Sequence, residues 1–287
     1  MPELPEVETI VRGLRTVLPG RHILLVRLGK TDFIDDPAGL ERELPGCRIG
    51  AVERHGKFIA VRLEKQDARP TLLIHLGMTG QLATAQPVEP LLPHTHVILA
   101  LDDGRELRYT DARRFGRMLL AATPADEAVL GKLGDDPLEI TWDAFRGRLN
   151  GRRAMVKALL LDQRFLRGMG NIYTDEALWR ACIHPRRHAA RLTRGEARRL
   201  YASMRKVLTD AIRLRGSSIS DYLDAEGLPG DYQRRHRVYG REGKACFRCA
   251  AKIRRVIVAG RSSYFCPRCQ KALSGRWRRG RARWGAG

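Results

Sequence analysis

The sequence lacks any run of 18 or more consecutive apolar residues, which excludes an ordinary transmembrane helix. Its first nine residues, MPELPEVET, are acidic and have no apolar core, so we expect no signal peptide there. Cysteine is scarce, with six residues in 287, and four of the six cluster near the C-terminal end. This distribution predicts a metal site in a reducing compartment and excludes a disulfide framework.

Acidic residues are also few, since 32 Asp and Glu stand against 53 Lys and Arg, for a formal net charge of +21. A surface this basic repels itself unless its partner is negative, which argues against an ordinary enzyme of small molecules. Residues 231–287 contain 17 basic residues against only Asp231 and Glu242, a net charge of +15. This concentration at one end predicts a nucleic-acid-binding region, and a generally Arg-rich proteome is the alternative.

The chain length predicts about two domains with space for a small third. Apolar residues at helical spacing from Val7 to Leu18 predict a first helix, which Pro19-Gly20 ends. Seven strand-like runs follow, at 23–28, 48–54, 58–63, 71–76, 97–101, 107–110 and 117–120. Asp103-Gly104 between two of these runs predicts a hairpin. Short strands separated by turns favour a β-sandwich capped by the helix.

The pattern changes at a linker over 135–141. Beyond it the apolar period is helical and predicts four helices, over 142–149, 154–161, 171–182 and 194–214. Thr193 and Glu196 have the spacing of a capping box for the last of them. The sequence therefore predicts a β-rich first domain followed by a helical one.

The clustered cysteines form two C-x2-C pairs separated by 16 residues, namely Cys246, Cys249, Cys266 and Cys269. Two such pairs close a tetrahedral four-thiolate site, which leaves no open position and so predicts a structural zinc. Strand-like runs at 252–258 and 262–265 flank Ala259-Gly260-Arg261, which predicts a zinc-bound β-hairpin with Arg261 at its tip. A hairpin of this width fits a DNA groove, whereas a folding staple without ligand contact is the alternative.

The Met1-Pro2-Glu3 start is chemically distinctive if Met1 is removed. Pro2 is then a secondary amine with a pKa of about 7.7–8.0, so part of it is neutral at cellular pH. A neutral secondary amine attacks aldehyde-like carbon and gives an iminium, which is an electron sink, and Glu3 can shuttle a proton beside it. The alternative is a start without function, and retention of Met1 would make the Pro2 nitrogen an amide.

Six motifs occur in order along the chain: PELPEVET from Pro2, HGKF from His55, LGMTG from Leu76, YTDARRFG from Tyr109, GMGNIY from Gly168 and GRSSYFC from Gly260. Together they closely resemble the formamidopyrimidine-DNA glycosylase family, which comprises bifunctional base-excision enzymes for oxidised purines. The related endonuclease VIII group usually starts Pro-Glu-Gly-Pro-Glu. Leu4 therefore favours the purine-directed branch.

The resemblance implies an α+β multidomain fold. Its expected parts are an N-terminal β-sandwich catalytic domain with a capping helix (1–134), a helix–two-turn–helix domain with a lesion-recognition loop (142–240), a zinc β-hairpin (241–271) and a basic Arg/Trp tail (272–287). It also implies a monomer that binds double-stranded DNA with an oxidised purine or an abasic site, in the cytoplasm at the nucleoid and away from membranes. One structural zinc is expected, with no catalytic metal or redox cofactor.

The resemblance also implies catalytic roles. Pro2 is the expected Schiff-base nucleophile at the sugar C1′, and Glu3 is the expected proton donor during base loss. Lys57 is expected to hold a phosphate and assist β-elimination, and Arg261 to bind phosphates and assist δ-elimination. The segment 216–222 corresponds to the loop that contacts the flipped base in this family.

Other positions match DNA contacts of the family. Met78, Arg113 and Phe115 are expected to fill the space left by an extruded base, with Arg113 facing the widowed cytosine. By the same resemblance, phosphate or other DNA contacts are expected at four more positions, His94, Arg153, Lys157 and Asn171. Asn171 also follows a Gly-x-Gly turn and opens a helix, where exposed N–H groups attract anions.

Some alternatives remain. His94 and His96 would share a face of a strand and could bind a metal, although His96 is better explained as structural. The basic tail could bind DNA through Arg and Trp or simply be solvated. A DNA- or RNA-binding protein without activity, an enzyme for oxidised pyrimidines and a member that binds abasic DNA without cutting are the rivals to a bifunctional glycosylase.

Overall fold

The computed structural model describes residues 2–121, 128–219 and 222–272. The basic tail from 273 onward, with Trp277 and Trp284, lies outside the described residues. Two compact units make up the chain. The first unit is Met1–Lys132 with Ala211–Gln233, and the second unit is Leu133–Asp210 with Arg234–Gly287.

The described residues of the first unit form three α-helices and eight strands. They are α1 (Leu4–Val17), β1 (Ile23–Leu28), α2 (Pro37–Glu43), β2 (Arg48–His55), β3 (Phe58–Glu64), β4 (Thr71–His75), β5 (Gln81–Ala85), β6 (Thr95–Leu101), β7 (Glu106–Thr110), β8 (Arg117–Ala121) and α3 (Ala128–Gly131). Seven of the strands fall on the predicted runs. Three elements, α2, α3 and β5, were not predicted, because β5 buries only Leu82, α2 buries only Gly39 and Leu40, and α3 buries no residue.

Two four-stranded antiparallel sheets form the sandwich, in the orders β1-β6-β7-β5 and β2-β3-β4-β8. One apolar cluster takes side chains from both sheets and from the buried face of α1. Tyr222 and Ala225 belong to the same cluster, which places 211–233 with the first unit. The predicted boundaries placed this segment in the helical domain. The helical periodicity ends near the start of the segment, and the sequence that follows does not show which domain the segment packs against.

The second unit holds the other helices and one hairpin. They are α4 (Trp142–Leu149), α5 (Val156–Leu161), α6 (Asn171–Arg180), α7 (Arg194–Arg213), β9 (Arg254–Val258) and β10 (Arg261–Phe265), with α7 running past the boundary at 210. Ala259 and Gly260 both have positive φ, +50° and +70°, which is the two-residue turn of a tight hairpin. Arg261 is therefore the first residue of β10, paired with Val258, and does not form the turn itself.

Within the described ranges, no helix combines the length and apolarity needed to cross a membrane. The α+β expectation is confirmed in its three parts, which are a β-sandwich with a helix against its core, a helical region and a two-stranded hairpin that carries the four cysteines.

Candidate functional site

The start of α1 is held by a reciprocal capping box. Glu3 is the N-cap residue, its carboxylate accepts the backbone N–H of Glu6, and the Glu3 N–H donates to Glu6 Oε2 at 2.8 Å. Pro2 and Glu3 are both buried. The structure thus places the predicted amine and the predicted proton donor side by side at a helix N-terminus, where the helix dipole favours a carboxylate.

Glu6 joins this helix start to the segment 216–222. Its Oε1 accepts the N–H of Ser217 at 2.8 Å, and the Tyr222 hydroxyl donates to its backbone carbonyl at 3.3 Å. Gly216 has φ +79°, and a Cβ there would lie 2.7 Å from Glu6 Oε1. The sequence analysis missed Glu6, although its spacing from Glu3 is that of a capping box. Ser220 and Asp221, in the middle of the segment, lie outside the described residues.

Lys57 lies in the two-residue turn between β2 and β3. Gly56 precedes it with φ +64°, as the first central position of a type II′ turn requires. Lys57 precedes Phe58, which pairs with His75 at the end of β4. Burial, and then the charge of Lys57, lowers the pKa of His75 to about 4. Neutral His75 accepts the N–H of Gly77 through Nδ1 at 3.1 Å. Lys57 is therefore near the turn that carries Met78.

Met78, Arg113 and Phe115 lie on two loops that touch each other, 76–80 and 111–116, which we call the wedge loops. Gly77 has φ +60°, and a Cβ there would clash with the backbone carbonyl of Phe115. Met78 is 40% exposed and Phe115 is 57% exposed, and the Arg113 guanidinium lies 4.5 Å from the Phe115 ring. Core packing, the alternative for Met78 and Phe115, does not agree with this exposure.

His94 and His96 do not both lie on a strand, although their ring centroids are 6.2 Å apart. His94 precedes β6, is exposed and has φ +68°, whereas His96 lies within β6 and is buried. Burial lowers the pKa of His96. Within the described ranges, neither histidine belongs to a cluster of three or more metal-ligating side chains.

Lys157 is fully buried in the second unit. Its Nζ lies 2.7 Å from Asp175 Oδ1, both side chains are 0% exposed, and it also donates to the Ser262 carbonyl at 3.0 Å. A direct phosphate contact by Lys157 does not agree with this burial. Its ammonium instead connects α5, α6 and the hairpin.

Asp175 and Asn171 complete this connection. Asn171 opens α6 and donates through Nδ2 to the same Ser262 carbonyl at 2.9 Å, and Asp175 Oδ2 accepts the Tyr264 N–H at 2.9 Å. Burial raises the pKa of Asp175, and the Lys157 ammonium opposes that rise. Arg261, one residue before Ser262, is exposed and is held near the N-terminus of α6. Arg153 is also exposed, three residues before α5 begins.

Glu176, beside Asp175, is buried and accepts three backbone N–H groups, from Arg237, Val238 and Tyr239, at 2.9 to 3.0 Å. Burial raises the pKa of this carboxyl. Two adjacent acids of α6 therefore hold the hairpin and the segment that leads to it. Neither role was predictable, because these partners are 61 to 89 residues away.

The four clustered cysteines fit a zinc ion. Their Sγ atoms all lie within 4.8 Å of one another, and three of the separations are 3.4, 3.5 and 3.9 Å. A tetrahedron with Zn–S bonds of about 2.3 Å has S–S edges of about 3.8 Å. The backbone N–H groups of Arg248 and Cys269 point to Cys246 and Cys266 sulfur, which favours thiolates. The donor set is that of one structural zinc.

Three family models match the chain. They are the formamidopyrimidine-DNA glycosylase N-terminal domain over residues 1–118, the formamidopyrimidine-DNA glycosylase H2TH domain over 133–222, and a zinc finger found in FPG and IleRS over 243–272. The chain belongs to the formamidopyrimidine-DNA glycosylase family. It is thus a base-excision-repair glycosylase that acts on damaged DNA.

Relatives match the glycosylase over nearly its whole length. The formamidopyrimidine-DNA glycosylases of Solibacter usitatus and Heliobacterium modesticaldum are 45% and 46% identical over 273 and 280 residues, which is 94% of this chain and 100% of each relative. The Thermus thermophilus enzyme structure has a TM-score of 0.83 at 43% identity, covering 94% of this chain and 98% of that one. A Lactococcus lactis enzyme bound to Fapy-dG-containing DNA has a TM-score of 0.86 at 34% identity, covering 94% and 100%.

Proposed function

We propose that this glycosylase removes oxidised purines, 8-oxoguanine and formamidopyrimidines, from duplex DNA and cleaves the abasic site by β,δ-elimination through a Schiff base on Pro2. The observation that carries the proposal is that Ser217 and Tyr222 contact Glu6 at the start of α1, beside Pro2 and Glu3. An amine, a carboxylate and a candidate base-contacting loop then belong to one site in the first unit.

Complexes of related enzymes with damaged DNA support the lesion class. The Lactococcus lactis enzyme has been solved with DNA containing Fapy-dG and with DNA containing an abasic site, and a MutM structure holds DNA with carbocyclic 8-oxo-G. Another Lactococcus lactis complex contains an oxidised pyrimidine. Oxidised pyrimidine DNA is therefore the comparison substrate for any test of purine preference.

The proposed chemistry uses the chain's own groups. The Pro2 nitrogen attacks C1′ as the C1′–N bond to the base breaks, and the proton lost from the amine goes to the departing base. The C1′–O4′ bond then breaks to give the iminium, and Glu3 donates the proton that O4′ takes up in this ring opening. The iminium acidifies the C2′ proton, whose removal expels the 3′ phosphate, and a second elimination expels the 5′ phosphate. Base loss and the eliminations all need Met1 removed, because the Pro2 nitrogen is otherwise an amide, which is not nucleophilic.

The surrounding residues supply binding and order. In the proposal Lys57 and Arg261 bind the phosphates that leave, and Asn171, Arg153 and His94 contact the DNA. The zinc orders the hairpin and takes no part in the reaction. Because most of these contacts are to phosphate, DNA affinity should fall steeply with salt concentration.

Borohydride trapping tests the proposal. Purified protein is mixed with duplex DNA that carries one 8-oxoguanine opposite cytosine, reduced, digested and analysed by mass spectrometry. We expect a DNA adduct on the N-terminal Pro2. Absence of an adduct from protein that lacks Met1 and still binds the DNA would refute the amine mechanism on this lesion.

Glu3→Gln separates the two activities. The variant should lose base excision and keep cleavage of a preformed abasic site, because the Pro2 amine remains. Glu41→Gln, at an exposed glutamate in α2, is the matched control and should keep both. Equal loss of both activities in Glu3→Gln would contradict its role as proton donor.

A further inference from the structure

Asp111 is a fully buried carboxylate at the end of β7 that the reaction scheme does not use. Each of its oxygens accepts one hydroxyl and one backbone N–H. Oδ1 accepts from Thr79 Oγ1 at 2.5 Å and from the Arg113 N–H at 3.2 Å. Oδ2 accepts from the Tyr109 hydroxyl at 3.1 Å and from the Gly116 N–H at 2.9 Å.

These four donors come from two loops and from the strand β7. Thr79 belongs to the wedge loop between β4 and β5, whereas Arg113 and Gly116 belong to the wedge loop between β7 and β8. The Asp111 N–H also donates to the His94 carbonyl at 3.1 Å. A single residue is therefore bonded to both wedge loops and to the turn before β6.

The packing around Asp111 leaves the loops little freedom. A Cβ at Gly116 would clash with the Tyr109 hydroxyl, and a Cβ at Gly77 would clash with the Phe115 carbonyl. The backbones of the wedge loops thus approach closely at the same place where Asp111 links them. All four donors are uncharged hydroxyl or backbone N–H groups, and the carboxylate oxygens hold these groups in place.

We propose that Asp111 is a positioning residue that holds Met78, Arg113 and Phe115 as one preorganised wedge for the space that an extruded base leaves in duplex DNA. This inference rests on the proposed function. Unstacking a base costs a few kcal/mol, and an inserted apolar side chain recovers part of it. A wedge that had to order its loops on binding would lose some of that recovery to conformational entropy.

Asp111→Asn tests the role with almost no change in shape. Whichever way the amide turns, its NH2 faces a backbone N–H donor, that of Arg113 or that of Gly116. We expect excision of 8-oxoguanine from duplex DNA to fall about 10- to 100-fold, the cost of misplacing a group by about 1 Å. Cleavage of an abasic site in single-stranded DNA should stay close to wild type, because a single strand has no void to fill.

A fluorescent cytosine analogue opposite the lesion gives a direct signal of wedge insertion. Its emission change on binding should be lost or slowed in Asp111→Asn and kept in Asp67→Asn, a matched change at an exposed aspartate. A general loss of stability would lower duplex and single-strand activity together. That pattern would overturn the inference. So would an Asp111→Asn variant that inserts the wedge and excises 8-oxoguanine as the wild type does.

A second pair of variants decides the question if Asp111→Asn does not fold. Thr79→Val removes only the bond from the first wedge loop, and Thr79→Ser keeps the hydroxyl. Thr79→Val should show the same selective loss on duplex DNA, to a smaller extent, and Thr79→Ser should restore it. If the wild-type protein does not excise the base, the proposed function is refuted. If the wild-type protein is active and Thr79→Val and Thr79→Ser have the same activity on duplex DNA, the inference alone is refuted.

Discussion

Replacement of Lys157 by methionine should destabilise the second unit in a way that depends on pH. The change keeps the length of the side chain and removes its charge, which takes the ammonium away from Asp175 Oδ1 and leaves the buried carboxylate with the Tyr264 N–H on Oδ2. Loss of one partner of a buried ion pair costs about 3–5 kcal/mol. The variant can lower that cost by protonating Asp175 in the folded state.

The cost of protonation sets the magnitude. A carboxyl with a pKa of about 3.9 in the unfolded chain costs about 1.4 kcal/mol per pH unit to hold neutral, hence about 4 kcal/mol at pH 7 and about 1.5 kcal/mol at pH 5. Burial already raises the pKa of Asp175, and removal of Lys157 removes the opposing charge. A raised carboxyl pKa lowers stability as pH rises, so Lys157→Met should be less destabilising at pH 5 than at pH 7.

Urea unfolding followed by tryptophan fluorescence measures this effect selectively. All four tryptophans, Trp142, Trp179, Trp277 and Trp284, belong to the second unit, and residues 1–132 contain none. The double variant Lys157→Met with Asp175→Asn should lose the pH dependence, because an amide needs no proton. Lys206→Met, at an exposed pair with Asp210, should change stability by less than about 0.5 kcal/mol. An equal loss at both pH values in Lys157→Met would refute the reasoning.

Two further predictions concern the zinc and His75. Chelation of zinc, or the substitution Cys249→Ser, should unfold the hairpin and weaken DNA binding, because metal binding and folding are coupled in such sites. An unchanged DNA affinity after measured release of the zinc would contradict this. The first unit should lose up to about 3 kcal/mol of stability as pH falls from 6.5 to 4, because the pKa of His75 is lowered to about 4 and the unfolded histidine takes up a proton first. Hydrogen exchange of β3 and β4 amides measures it, and His75→Gln should remove most of this slope.

Local signals predicted the parts of the molecule that depend on near neighbours. Asp103-Gly104 gave the β6–β7 turn, and the cysteine spacing gave the zinc hairpin. The β-sandwich with its helix was also predictable, since seven of its strands have β-type patterns. These features depend on turn geometry, ligand spacing and short-range periodicity, all of which are visible in the sequence.

Features that depend on distant partners were not predictable. Lys157 has the pattern of an exposed basic residue, but in the structure it is buried against Asp175 and Ser262, which are 18 and 105 residues away. Three donors to Asp111 lie within five residues of it, but Thr79 is 32 residues away, so its bond to the loop 76–80 is not visible in the sequence. His94 and His96 have the spacing of a strand pair, but the positive φ of His94 breaks the alternation.

The first unit is discontinuous in sequence, and this sets an order for its synthesis. Its core includes Tyr222 and Ala225, which leave the ribosome only after residues 133–210 have been made. At a synthesis rate of about 5–20 residues per second, the nascent β-sandwich lacks that part of its core for several seconds or longer. The helices α4, α5 and α6 emerge during this wait. The unit that carries Pro2 is therefore completed late in translation, although Pro2 is among the first residues made.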